Sequence, residues 1–150
     1  MRTLLTIFLL ATCQQTFSQT NDEQLYQAVV KNDIEQARTL IEAGADPNFI
    51  KASGPWMKMS LLITAINNKN IEMTQLLLEN DVDVNWRDGF KTSAIIYAAN
   101  TGKTELLELL LANGANINDN DGQGNSVLTS AKESGNKEMI RLVKQKHKEE

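Results

Sequence analysis

The stretch SAIIYAANTGKTELLELLLANGANIN, Ser93–Asn118, decides the fold because its pattern returns at a fixed spacing along the chain. The same pattern reappears 33 residues earlier, as SLLITAINNKNIEMTQLLLENDVDVN ending at Asn85, and 33 residues later, starting at Ser126. A further copy ends at Asn48, 37 residues before Asn85, so the first connecting loop is four residues longer. A period of roughly 20–50 residues is typical of stacked repeats, in which each unit buries its apolar face against its neighbours.

The repeat unit resembles the ankyrin repeat, whose pattern runs T-P-L-H-x-A-A-x-x-G, then leucines, then G-A-D-x-N. Within Ser93–Asn118, the residues that match this pattern are Ser93, Ala98, Ala99, Gly102, Leu109, Leu110, Gly114, Ala115 and Asn118. Asp121 and Gly124 match the D-x-x-G of the family's turn, whereas Lys91 and Asp81 stand where the family has glycine. The resemblance implies an all-α solenoid of stacked helix-turn-helix units, with β-hairpin finger loops projecting beside the inner helices.

We predict a signal peptide over residues 1–18 and a repeat domain over residues 19–150. The repeats are expected at about 23–48, 60–85, 93–118 and 126–147. Polar residues dilute the apolar core at both ends, with Gln36 and Thr39 in the first repeat and Lys132 and Lys144 in the last. Terminal repeats need polar outer faces because those faces meet water. We therefore expect four repeats, the outer two acting as caps, with the array ending at His147.

The N-terminus has a different composition from the repeats. Arg2 precedes the apolar run Leu4–Ala11, which is too short to span a bilayer and is followed by the polar stretch Thr12–Thr20. This order is typical of a secretory signal peptide. Cleavage after Ser18 would leave Gln19 as the first mature residue, and we expect a periplasmic or secreted protein.

A second interpretation of the N-terminus involves Cys13, the only cysteine. The sequence Leu10-Ala11-Thr12-Cys13 resembles a bacterial lipobox, in which the cysteine would be acylated and become the mature N-terminus. Thr12 departs from that pattern, which prefers glycine, alanine or serine before the cysteine. Ordinary cleavage and a lipid anchor at Cys13 therefore both stay open, and neither predicts a membrane span.

Local signals predict where the helices begin and end. Asp22 is expected to cap a first helix that buries Leu25, Ala28 and Val29, and the next helix is expected over about Ile34–Ala43. A residue able to cap the N-terminus precedes the second helix of each repeat, except in the third repeat, where Lys103 stands. Each of these helices also carries a glutamate in its first turn, where its negative charge interacts favourably with the positive end of the helix dipole. These residues are Asp33, Asn70 and Asn136 for the caps, and Glu35, Glu72, Glu105 and Glu138 for the glutamates. Gly44 and Gly114 end their helices, and Leu76–Leu78 and Leu109–Leu111 are expected to form the core.

The composition carries no sign of catalytic or nucleic-acid chemistry. With 15 basic and 19 acidic residues the net charge is −4, which argues against a phosphate-backbone partner. The only histidine is His147 in the tail, so neither a zinc site nor a Ser-His triad is expected in the repeats. No P-loop or dinucleotide motif is present. Asp119–Gly122 does not fit a calcium loop, and the loop aspartates fit turns. We expect no enzyme, cofactor or metal.

The interpretation that follows is a monomeric, non-catalytic protein–protein interaction module. An accessory protein that supports a periplasmic enzyme and an immunity protein that neutralises a delivered toxin remain as alternatives. The resemblance implies docking on the concave side, formed by the finger tips and inner helices. The inner-helix positions are Thr64, Asn67, Asn68, Tyr97, Asn100, Thr101 and Ser130, and the fingers supply Trp56, Trp86, Arg87 and Phe90.

Aromatic and arginine side chains most often dominate protein–protein binding energy. We therefore expect Trp86, Arg87, Phe90 and Tyr97 at the centre of a partner site, with Trp56 at its rim. Alternatively, Trp56 or Trp86 folds back to cover the edge of the stack.

Overall fold

Apolar residues three and four apart, interrupted by short polar breaks, form pairs of helices in the computed structural model, which describes residues 21–149. In the first pair, α1 is helical over residues 21–31 and α2 covers Ile34–Glu42. The later pairs are α3 (Leu61–Asn67) with α4 (Ile71–Leu78), α5 (Ala94–Thr101) with α6 (Thr104–Ala112), and α7 (Val127–Glu133) with α8 (Lys137–Glu149). The described residues thus contain the four expected repeats.

Three finger loops separate these pairs: residues 49–59, 86–92 and 119–125 form the first, second and third fingers. In the first, β1 (Ile50–Ala52) pairs antiparallel with β2 (Lys58–Ser60). The second and third are closed by single bridges, Arg87 with Ser93 and Asn120 with Ser126. The four extra residues of the first loop therefore give it a two-stranded hairpin, which the shorter fingers lack.

The inner helices, α1, α3, α5 and α7, stack against one another, and so do the outer helices, α2, α4, α6 and α8. Small buried side chains on the inner helices permit close approach of the backbones; they are Ala28, Ala65, Ala98, Ala99 and Ala131. On α6 the fully buried residues are Leu106, Leu107 and Leu110, whereas Leu109 is only half-buried. The expectation that Leu109 is a core residue is therefore wrong, because its position on the helix faces away from the inner layer.

The predicted caps of the second helices are confirmed. The side chains of Asp33 and Asn70 accept hydrogen bonds from backbone N–H groups in the first turns of α2 and α4, and Asn136 does so for α8. Lys103 makes no such bond, as expected. The prediction for Asp22 is wrong, because Asp22 already lies inside α1. Its carboxylate instead accepts from the backbone N–H of Asp46 at 2.7 Å and ties α1 to the end of its own repeat.

Asparagine side chains join neighbouring repeats. The Asn68 amide donates to the carbonyl of Val29 at 3.2 Å, and the Asn136 amide donates to that of Gly102 at 2.7 Å. Asn48 donates to Asp81 and accepts from the N–H of Asp83. These bonds pair backbone groups at helix ends and turns of one repeat with side chains of the neighbouring repeat. Of the expected surface positions, Ser130 is buried, whereas Asn68 is exposed but has its side-chain amide engaged in the bond to the preceding repeat.

Non-glycine residues adopt the left-handed backbone where the family pattern has glycine. Asp81 has φ 57°, in the place occupied by Gly44 and Gly114, and Lys91 has φ 64°. Lys69, at φ 56°, occupies the interhelical turn in the same way. The turns keep their shape despite the changed residue types, at a cost in backbone strain.

Within residues 21–149, no helix combines the length and the apolar character that crossing a membrane requires. The predicted signal peptide, its cleavage after Ser18 and the alternative anchor at Cys13 all lie outside the described residues. They remain predictions from the sequence.

Candidate functional site

Exposed apolar side chains cluster on one side of the first two fingers. Trp56, Met57 and Phe90 are 69%, 65% and 54% exposed, and only Val30 joins them as a large exposed apolar residue of the described chain. The three line a groove of about 290 Å³. This finger groove is formed by Tyr26, Lys51, Ser53, Trp56, Met57, Lys58, Met59, Asp88, Phe90 and Tyr97. Exposed apolar clusters of this kind mark interaction sites in soluble proteins.

The first finger places Trp56 at the groove. The β1–β2 hairpin carries the loop forward, and a hydrogen bond from the N–H of Ser53 to the carbonyl of Met57, at 2.8 Å, closes its tip. Trp56 therefore stands at the end of a braced hairpin. Its indole does not fold back onto the stack, which leaves a large aromatic surface open to solvent.

Gly89 lets the first and second fingers touch through their backbones. A Cβ atom at position 89 would lie only 2.1 Å from the carbonyl oxygen of Trp56 and within 3 Å of two more of its backbone atoms. Backbone atoms cannot yield to such a contact as a flexible side chain would. Glycine at position 89 is therefore required for the first finger to seat against the second.

A buried carboxylate holds the second finger and the floor of the groove together. The Tyr97 hydroxyl donates to Asp88 Oδ2 at 2.7 Å, while Asp88 Oδ1 accepts from the N–H groups of Phe90 and Thr92 at 2.8 and 2.9 Å. Burial and the hydrogen bond to Asp88 raise the pKa of Tyr97. Tyr97 thus stays protonated as a donor, and Phe90 is presented from a tightly bonded turn.

The charged residues of the groove leave a cation unpaired. Lys51 bonds Glu23 at 2.7 Å, and its Nζ lies 5.6 Å from the centre of the Tyr26 ring. The hydrogen bond from Lys51 lowers the pKa of the Glu23 carboxyl, so Glu23 is a charged partner for Lys51 near neutral pH. Lys58 is exposed and makes no ion pair with any residue from 21 to 149. Because Asp88 is buried and Lys58 is exposed, the accessible charge at the groove rim is the positive charge of Lys58.

Arg87 is engaged inside the protein. Its Nη1 donates to the carbonyls of Lys91 at 2.9 Å and Asn120 at 3.0 Å, and its Nη2 pairs with Asp119. The Ser93 hydroxyl also donates to Asp119, and Ser93 makes no side-chain capping bond to α5, unlike Ser60 at the start of α3. Arg87 and Asp119 therefore join the second finger to the third.

The structure places the expected site residues in different parts of the molecule. Trp86 is half-buried, packs against the core and lines a different cavity of about 410 Å³. Arg87 is committed to the third finger, and the exposed Asn67 and Asn100 do not line the finger groove. Of the seven proposed residues, the groove brings together Trp56, Phe90 and Tyr97.

Sequence reasoning missed the other residues of the groove. Met57 and Met59 flank Lys58 in the sequence W-M-K-M, and this alternation in a hairpin strand is a signal for side chains on a common face. Tyr26 carried no comparable signal, because it reaches the groove from α1, 62 residues before Asp88 in the sequence. Asp119 was missed because the equivalent position of the preceding repeat holds Trp86, which shares no chemistry with it.

The carboxylates of Asp83, Asp88 and Asp121 accept hydrogen bonds within their own turns, as expected. Asp121 Oδ1 accepts from the N–H groups of Gln123 at 2.7 Å and Asn125 at 3.1 Å, in the same way as Asp88 one repeat earlier. From residue 21 to residue 149, no three histidine, cysteine, aspartate or glutamate side chains are placed to hold a metal ion together.

Stacked helix pairs with projecting fingers and an exposed aromatic groove define a repeat solenoid suited to binding proteins. The family model for ankyrin repeats (3 copies) matches residues 25–121 and 61–149. The chain therefore belongs to the ankyrin-repeat family, and the predicted all-α repeat solenoid is confirmed. Membership of this family indicates a protein–protein interaction module with protein partners. A search of curated proteins found no match.

Proposed function

We propose that this protein is an exported, non-catalytic binding module whose protein partner docks in the finger groove. The observation that carries the proposal is the exposure of Trp56, Met57 and Phe90 together on braced fingers. Aromatic residues dominate binding hot spots, and methionine adapts its shape to varied partners. Because the fingers are held by hydrogen bonds and backbone contact, little conformational entropy is lost when a partner docks.

The affinity of the partner for single-residue variants tests the docking site. Trp56→Ala and Phe90→Ala should each weaken capture of the partner from the export compartment, while melting curves show that both variants fold. Val30→Ala is the matched control, because Val30 is also a large exposed apolar residue but lies outside the groove. Wild-type affinity in both groove variants would contradict this docking site.

Export to the periplasm or the medium is the second part of the proposal. It is supported by Arg2, the apolar run Leu4–Ala11 and the polar stretch that follows. N-terminal sequencing of the mature protein should give a chain that starts at Gln19. An acylated Cys13 would instead identify a lipoprotein, and a chain that retains Met1 in the cytoplasm would contradict export.

A further inference from the structure

We infer that the segment bound in the finger groove is acidic and anchors itself with one large apolar side chain. This inference rests on the proposed function, because it concerns the partner of the same groove. It adds the chemical class of that partner, which family membership does not specify.

The charges at the groove favour carboxylates on the partner. Lys51 and Lys58 are the cations of the lining, and Asp88 is its only carboxylate. Asp88 is buried and already accepts three hydrogen bonds, so its oxygens are not open to a docking partner. Glu23 balances Lys51, which leaves Lys58 without an acidic partner among residues 21–149. A carboxylate near the rim would pair with Lys58, whereas a basic segment would find both nearby carboxylates already paired or buried.

The size and lining of the groove favour one apolar anchor. Pockets that enclose drug-sized ligands measure ~300–1,000 Å³, and the finger groove, at about 290 Å³, lies just below this range and is large enough for a single side chain. Trp56, Phe90 and Tyr97 offer aromatic surface, and Met57 and Met59 can move to fit a side chain between them. A tryptophan, phenylalanine or leucine of the partner matches this lining.

A peptide selection tests the inference without knowledge of the natural partner. The probe is a display library of random peptides of about 12 residues, which span roughly 40 Å when extended. The best clone is then made as a fluorescein-labelled synthetic peptide and titrated with the protein. We expect selected sequences to carry an aromatic residue or leucine flanked by aspartate or glutamate.

Substitutions in the groove test charge and anchor separately. Trp56→Ala should weaken binding of the labelled peptide by about 30-fold or more, as expected for a hot-spot aromatic. Lys58→Glu should weaken it roughly three- to tenfold at about 50 mM salt, and less at about 500 mM. Lys144→Glu makes the same charge change on exposed α8, away from the groove, and should have little effect.

Different results would overturn different parts of the account. The selected peptides could be basic or uncharged, and their binding could be lost in Trp56→Ala but unchanged in Lys58→Glu. That result would overturn the inference of an acidic partner and would still support the finger groove as the docking site. Acidic peptides unaffected by both Trp56→Ala and Phe90→Ala would contradict the groove itself. A selection that enriches no sequence would also overturn the inference of a bound peptide segment.

Discussion

Asp119 accepts hydrogen bonds from Arg87, from Ser93 and from the N–H of Asn120, and so connects two fingers and the start of α5. The repeat pattern does not predict this role, because the residue exists in only one copy and its donors lie 26 and 32 residues away. The local turn at Asp121, by contrast, was predicted, since an aspartate in D-x-x-G bonds its own neighbours. Local chemistry is thus visible in the sequence, whereas contacts between loops depend on how the repeats stack.

The first prediction concerns the link between fingers. Asp119→Ala should lower the free energy of unfolding by about 1–3 kcal/mol, because it removes a buried acceptor from two side-chain donors. Arg87→Ala should share part of this loss, and the double variant should cost less than the sum of the two. Urea titrations of the two single variants and the double variant measure this coupling. Additive losses would show that the Arg87–Asp119 contact contributes nothing to stability.

The second prediction concerns left-handed residues at the interhelical turn. Lys69 has φ 56°, and the equivalent Gly135 has φ 70° with open space where a Cβ would stand. Lys69→Gly should stabilise the protein by up to about 1 kcal/mol, because it relieves backbone strain. Gly135→Lys should destabilise the protein, because it introduces the same backbone strain. If the melting temperatures of the two variants shift in the same direction, this explanation is contradicted.

At the scale of elements, the helices were predicted well and their buried faces less well. The five leucines of TELLELLLA make α6 apolar nearly all round, so periodicity alone does not select the face that packs inward. Stacking between α4 and α8 selects Leu106, Leu107 and Leu110 and leaves Leu109 half-buried. The hairpin of the first finger was implied by the family resemblance, but the backbone contact that seats it against Gly89 was not.

The third prediction tests the core of α6. Leu110→Ala should cost about 2–5 kcal/mol of unfolding free energy, the usual range for a fully buried leucine. Glu105→Ala, on the exposed first turn of the same helix, should cost only some tenths because its dipole contribution is small. Denaturant titration measures both changes. Equal losses would mean that the core has been assigned wrongly.

The fourth prediction is a pH dependence in the third finger. Hydrogen bonds from the N–H of Gln123 first, and from Asn125, hold the pKa of Asp121 below its ordinary value of 3.8. Because the folded pKa lies below the unfolded one, this carboxylate stabilises the protein at neutral pH, and the contribution is lost as the pH falls below about 4. Asp121→Asn should therefore differ from wild type most at about pH 7 and least at about pH 3. An equal difference in urea midpoint at both pH values would contradict this linkage.

For the whole molecule, the repeat spacing predicted the solenoid, and the loop aromatics pointed to the fingers as the candidate site. Only the structure distinguishes the positions of the two tryptophans. Trp86 follows directly after the end of its repeat and packs on the core, while Trp56 is carried outward by the four extra residues of the first loop. Tyr26 completes the groove from another repeat. Such long-range neighbours arise only from the stacking geometry.

Fluorescence quenching of Trp56 tests most directly whether the finger groove is the docking site. Trp86→Phe leaves Trp56 as the only tryptophan, and Trp56→Phe, as the control, leaves the half-buried Trp86. Acrylamide should quench Trp56 strongly in the free protein and severalfold less once the purified partner is bound, while quenching of Trp86 changes little. If the partner binds at full affinity and Trp56 stays as accessible to acrylamide as before, the finger groove is not the binding site.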